Sequence, residues 1–412
     1  MANGATLTTY DAILKEHYTQ DRVEDMCYKD NPFFALVPKA KNFGGDLLPI
    51  PVAIGNPQGR SRTFSTAQSR STATSKITKK FNLTHAFDYS IATISGILLH
   101  AAKGNENAFV DAATMEMDGA ISELSNNLAR SLYRDSSGQI GQVSVEPTEA
   151  DPMVITLKSA GDITNFEVGM QIVAFAALSG GTQRLSKTGV DTFTVTGVDR
   201  SAGTVTFAEE YDSNGTIAAD DYLFINGDRG ASISGLEDWI PASAPDSTAF
   251  YGVDRTADIT RLSGHRYSAS GVPLEEALIE GASLVGRDGG YIDHYFMSHD
   301  KFGDLKKSLG SKVQYVDLAA NARVSFRGIT ISGGSRGDIK VLPDHNCPDN
   351  RVFGVCLEKC KLYSLGEPVR PLNHDDAGLW LRQSDDDGAE VRYGSYSNFA
   401  VRAPNHFINI QV

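Results

Sequence analysis

Residues 105–134 read NENAFVDAATMEMDGAISELSNNLARSLYR. Val110, Ala113, Met117, Ile121, Leu124, Leu128 and Leu132 recur here at threes and fours, the spacing that lines apolar side chains along one face of an α-helix. Asn105 can cap its start, and Ser136-Ser137-Gly138 ends it. The spacing predicts a helix over 105–134, about 45 Å long. That exceeds what a compact domain needs, so the helix should brace an elongated subunit. Val110, Met117, Ile121, Leu124 and Leu128 should face strands, while Glu106, Asp118 and Asn126 face away or meet neighbours.

Upstream the pattern changes twice. Tyr10, Ile13, Leu14, Tyr18 and Met26 form a helical stripe that Asn31-Pro32 stops, and 32–42 shows little regular pattern. Leu47-Leu48-Pro49-Ile50-Pro51-Val52 is extended, because alternating prolines exclude both helix and a central strand. Residues 81–94 read as a further strand. Between them lies a polar stretch, 55–75, with too few apolar groups to fold against its own domain. Over 41–80, Lys41, Arg60, Arg62, Arg70, Lys76, Lys79 and Lys80 face a single acid, Asp46. On an acidic protein, such an arm suits another molecule's acidic surface; the plainer reading is a solvated loop.

Downstream, 142–230 loses all helical period. Its apolar alternation falls at 154–157, 171–176, 191–198, 203–207 and 222–226, with Gly, Asp, Asn and Ser turns between. Thirteen acids oppose five bases there. These features predict a solvent-facing, all-β barrel or sandwich of five or six strands, inserted whole. Beyond Gly235-Leu236-Glu237-Asp238-Trp239-Ile240 the pattern is α+β. It has a helix at 273–286, a buried strand at 291–297, a short helix capped by Ser298, and then strands at 328–332, 339–342, 351–357, 379–382, 390–396 and 406–412.

Composition excludes several classes. The 412 residues carry a net charge of −13, which argues against a dedicated nucleic-acid binder. The longest apolar run, Ile172 to Leu178, is about a third of a membrane span. Met1-Ala2-Asn3-Gly4 does not open a secretory signal, and four cysteines are too few for a disulfide scaffold, so reducing cytoplasm is the expected place of synthesis.

Chemistry motifs do not survive inspection. Gly333-Gly334-Ser335-Arg336-Gly337 matches the spacing of a nucleophile elbow, which needs a strand, a sharp turn and a helix. Here it joins two strand patterns, so a hairpin turn is the plain reading. Residues 181–188 (GTQRLSKT) resemble a phosphate loop, but Ser186 replaces the glycine before Lys187. Cys356 and Cys360, with Cys347, His345 and His374, have loose zinc spacing. Two buried thiols on one face of a strand explain them equally. Asp385-Asp386-Asp387, with Asp375-Asp376, lacks calcium-loop spacing. No catalytic residue, cofactor or metal is expected.

The order of these elements resembles the major capsid proteins of tailed bacteriophages, a shell fold shared with encapsulins and the herpesvirus capsid floor. Asn31-Pro32-Phe33-Phe34 and Pro49-Ile50-Pro51 look like an N-terminal arm entering an extended loop, and 104–134 looks like the spine helix. Gly235-Leu236 with Trp239 resembles the return to the peripheral domain. Tyr295-Phe296-Met297-Ser298-His299, with Phe302 and Leu305, is similar to the axial domain's strand–helix segment. The later strands at 328–343 and 352–355, and Arg402-Ala403-Pro404 before the last strand, complete the likeness over about 320 residues.

The resemblance implies an α+β capsid fold divided as follows: an N-terminal arm at 1–42, an extended β-hairpin loop at 43–93, and the spine helix with part of the peripheral domain at 94–141. The inserted barrel-like domain takes 142–230, the peripheral return 231–270, the axial domain 271–384 and the C-terminal strands 385–412. It further implies self-assembly as hexamers and pentamers into an icosahedral shell around double-stranded DNA, without sequence-specific DNA binding or a membrane. Partners would be a separate scaffolding protein, a portal and a cement protein, and the protein would reside in the virion after synthesis in the host bacterial cytoplasm. Arg60, Arg62, Arg70, Lys76, Lys79 and Lys80 are the expected inter-subunit contacts. The rivals are an encapsulin-like compartment, a serine hydrolase using Ser335, and a tail-tube or adhesion protein.

Overall fold

The computed structural model describes residues 31–73, 75–96, 112–147, 152–211, 217–309, 315–318, 326–334, 337–372, 381–383 and 387–412. The expected first helix, Glu106, Val110, Ser335, His374 and Asp385-Asp386 lie outside them.

The long helix is described over Ala112–Ser131. Leu124 and Leu128 are both 2% exposed. Leu124 and Ala120 pack on Ala92, Val391 and Tyr393, with Met117 and Ile121 half-buried beside them. Leu128 continues into the main core with Leu132 and Tyr133. Asp118 is exposed, but Asn126 does not face away, since its side-chain carbonyl accepts from Asn31 Nδ2 at 3.0 Å. The helix also stops at Ser131, three residues short of the expected Arg134. The backbone N–H groups of Leu236 and Glu237 donate to the carbonyls of Leu132 and Tyr133, so a distant segment satisfies the first carbonyls beyond the helix.

Pro32 begins a helix in the stretch where little regular pattern was expected. Pro32–Leu36 is one turn and a half, with proline in the first turn, where its missing N–H is no loss. Leu48–Gly55 then pairs antiparallel with Ile77–Leu83 as a two-stranded hairpin, with both prolines on a strand that has no second neighbour. The polar stretch within it holds a helix, Phe64–Ala73, where a loop was expected. Neither Pro nor Gly interrupts 60–73, and Ala67, Gln68, Arg70 and Ala73 are good helix formers. Ala86–Ser95 follows and runs antiparallel to the 14-residue strand Gly388–Val401, the centre of a six-stranded sheet. The long helix packs across this pair.

Gln139–Val145, Val154–Leu157, Gln171–Phe175, Phe193–Asp199, Thr204–Phe207 and Tyr222–Ile225 close a six-stranded barrel. Inward residues alternate along its strands, as with Ile155 and Leu157 or Val205 and Phe207, and fill a separate core around Phe166 and Phe193. The first strand begins at Gln139, ahead of the expected boundary, because the turn at Gly138 (φ 78°) leads directly into it. A six-residue 3-10 turn, Ala160–Asn165, seats the barrel on the end of the long helix. Arg134 pairs with Asp162, and Arg130 donates to the Asn165 carbonyl.

The remaining chain builds a seven-stranded mixed sheet. Its order is His265–Ser268, Ile408–Gln411, Arg351–Val355, His294–Met297, Gly337–Pro343, Phe326–Gly334 and Tyr315–Leu318. Leu274–Arg287 packs on it, with Tyr295 Oη donating to the Leu278 carbonyl at 2.8 Å. Ser298 precedes His299–Leu309, as the capping pattern anticipates. Cys356 and Cys360 do not share one strand. A 3-10 turn, Leu357–Lys359, separates them, and Cys360 opens the strand Cys360–Ser364, which sequence reading missed.

Candidate assembly surfaces

The hairpin is anchored at its root and bare at its tip. Ile50, Ile54, Phe81 and Leu83 are buried in the main core, and Asn82 N donates to the Tyr251 carbonyl. Beyond them, Phe64–Ala73 buries no side chain, with Phe64 81% and Ile77 54% exposed. Arg60, Arg62, Arg70 and Lys76 are exposed on this distal part, and Lys79 and Lys80 are exposed on the paired strand opposite Val52 and Pro51. The structure gathers these six cations on one projection but gives them no common site. Among the described residues, Arg60, Arg62, Lys76, Lys79 and Lys80 form no ion pair with an acid of their own chain. The reading of 41–80 as an arm for another molecule's surface therefore narrows to the tip, because the root belongs to the subunit core.

The strand that follows the hairpin has two unlike faces. Phe87, Tyr89 and Ile91 project outward and are each more than half exposed, with Phe87 and Tyr89 edge-on to Tyr396. Asp88, Ser90 and Ala92 point to the helix. There, Asp88, Asn127, Ser131, Asp228, Ser232 and Ser397 line a cleft of about 290 Å³ between strand, helix and barrel exit. Asn127 Nδ2 donates to Asp88 at 2.6 Å, and Arg130 donates to Asn127 Oδ1.

The cleft is electrically unbalanced. Burial pushes the Asp88 carboxyl up to about 6, aided by Asp228 and opposed by Asn127 and Arg130. Burial likewise raises Asp228, against the pull of Arg130. Glu123, one turn up the helix, is raised by desolvation and by the nearby carboxylates Glu167 and Asp228. Burial brings Arg130 down to about 10. Sequence reading missed this cleft, because Asp88 and Asp228 are 140 positions apart. The period-two alternation over 86–95, apolar on one face and small or acidic on the other, was its readable signal.

A second polar centre joins the parts of the fold. Asp344 is 1% exposed and accepts from Phe33 N at 3.2 Å, Tyr133 Oη at 2.8 Å and Asn346 N at 3.0 Å. One carboxylate thus ties the segment before the hairpin, the end of the long helix and the mixed sheet. Burial and Asp344 together push the Tyr133 hydroxyl well up, so it stays a donor.

The other motifs take structural places. Ser332 pairs with Asp338 and Gly334 with Gly337, so the segment flanking Ser335 is an antiparallel hairpin, not the strand–helix turn of a nucleophile elbow. In the phosphate-loop lookalike, Ser186 Oγ accepts from Val190 N, and the next element is a strand. Cys347, Cys356 and Cys360 are buried free thiols raised by burial. No described helix is long and apolar enough to cross a membrane.

This architecture is the phage major-capsid fold. The chain aligns over 99% of its length with 99% of a chain from the cyanophage A-1(L) capsid asymmetric unit, at 12% identity and a TM-score of 0.55. The holo encapsulin complex of Synechococcus elongatus matches at 8% identity over 99% and 95% of the chains, with a TM-score of 0.49. A structure from Mycobacterium phage Bobi matches at 10% identity over 98% of both, with a TM-score of 0.45. No protein-family profile and no curated protein matches the sequence.

Proposed function

We propose that this chain is a shell-forming major capsid protein of a tailed bacteriophage, assembling as hexamers and pentamers around double-stranded DNA. The observation that carries the reading is the end-to-end match of fold to the cyanophage capsid chain. The hairpin supports it. A tip that exposes Arg60, Arg62 and Lys76 and whose helix Phe64–Ala73 buries no side chain offers a basic contact surface to a neighbouring subunit. The tip lies on a neighbouring subunit and the long helix braces the plate between. The net charge of −13 suits a container wall, since a wall that held phosphates tightly would hinder filling and emptying. A scaffolding protein, a portal and a cement protein complete the particle, in which the chain is structural rather than catalytic. Negative-stain imaging of the purified protein tests this. Closed shells are expected, and open tubes or subunits that stay monomeric at high concentration would overturn it.

A further inference from the structure

We infer that the cleft between Asp88, Asn127 and Asp228 is the receptor for a basic side chain, Arg60 or Arg62, from the hairpin tip of a second copy of this chain. The inference rests on the shell reading and adds to it the acceptor site.

Three observations meet at this cleft. Its volume of about 290 Å³ admits a guanidinium with part of its stem. Its walls present two carboxylates, the Asn127 amide and the hydroxyls of Ser131, Ser232 and Ser397, the acceptors that a planar five-donor cation requires. Its charge is deficient, because Asp88, Asp228 and Glu123 face Arg130 alone among the cations that act on them. Arg130 is already engaged by Asn127 and the Asn165 carbonyl. The raised carboxyls register that deficit, and an added cation would relieve it.

The occupant follows from the same chain. Residues 47–80 hold six Lys and Arg and no acid, so the tip complements the cleft in sign. Arg60 and Arg62 of the subunit's own tip are exposed and do not line its own cleft. Arginine rather than lysine suits a site with acceptors in several directions, because its fork satisfies more than one at once.

The test uses assembled particles of the full chain carrying a photo-cross-linking benzoylphenylalanine at Ala231, on the cleft rim. Isotopically light and heavy subunits are mixed so that cross-links between copies can be distinguished. The expected cross-linked peptides come from residues 56–80 of a different copy. Normal shells whose cross-links go elsewhere, or stay within one copy, overturn the inference and leave the shell reading standing. Failure of the wild-type protein to form shells removes both. If the rim substitution itself blocks assembly, the Asp88→Asn/Asp228→Asn pair decides. It should keep or raise the subunit's melting temperature while lowering shell yield severalfold, and an unchanged yield would overturn the inference.

Discussion

Asp88→Asn should make the unassembled subunit more stable at neutral pH, although it removes a hydrogen-bonded charge. The Asp88 carboxyl is raised from an ordinary 3.8 to about 6, mainly by burial. A raised carboxyl favours the folded state when protonated. Its contribution is therefore fully present below about pH 4 and is lost as pH rises through about 6. That difference corresponds to about 3 kcal/mol. An asparagine side chain keeps an oxygen for Asn127 Nδ2, yet retains part of the burial cost, so the expected gain at pH 7.5 is about 1–3 kcal/mol. Urea unfolding of wild type and variant at pH 7.5 and 5.0, followed through the buried Trp239, measures it. The gain should shrink at pH 5.0. Asp228 and Arg130 feel the Asp88 charge, so the difference reads Asp88 together with its coupling to them. A variant less stable at pH 7.5, or a gap that ignores pH, refutes the reasoning.

Other expectations are simpler. Leu124→Ala should cost about 2–5 kcal/mol in thermal or urea unfolding, because it opens a cavity against Ala92, Val391 and Tyr393, and Leu124→Asp should yield no folded subunit and no shells. Gly235→Ala should cost at least about 1–3 kcal/mol by the same measurement, since an added Cβ would run into the backbone carbonyls of Ser131 and Arg134. The barrel, expressed alone as residues 138–230, should be soluble and unfold in one cooperative transition by calorimetry, because its core is separate from the others. Tyr133→Phe should cost about 1–3 kcal/mol, since it leaves the buried Asp344 short of a donor.

What the sequence displayed was local periodicity, and that part of the fold is legible. The threes and fours through Leu124 and Leu128 placed the long helix, and the alternation over 154–157 and 203–207 placed barrel strands to within a residue or two. What it hid depends on distant partners. The carbonyls just past the helix end are satisfied by Leu236 and Glu237, about a hundred positions later. Pro32 reads equally as a stop or as a start until its neighbours are known. The strand Cys360–Ser364 is short, and only its pairing with 397–401 reveals it. The six cations were legible as a charge run. The cleft was not, because its carboxylates come from a strand and a loop that only the folded chain brings together.

The central claim is that the hairpin's tip leaves its own subunit to complete another within a closed shell. A cryo-electron-microscopy reconstruction of particles assembled from the full chain tests it most directly. The account predicts closed shells with fivefold and sixfold clusters, in which each hairpin tip, carrying Arg60 and Arg62, lies against the neighbouring subunit. Tips folded onto their own subunits, or tips pointing free into solvent in an otherwise closed shell, would contradict it.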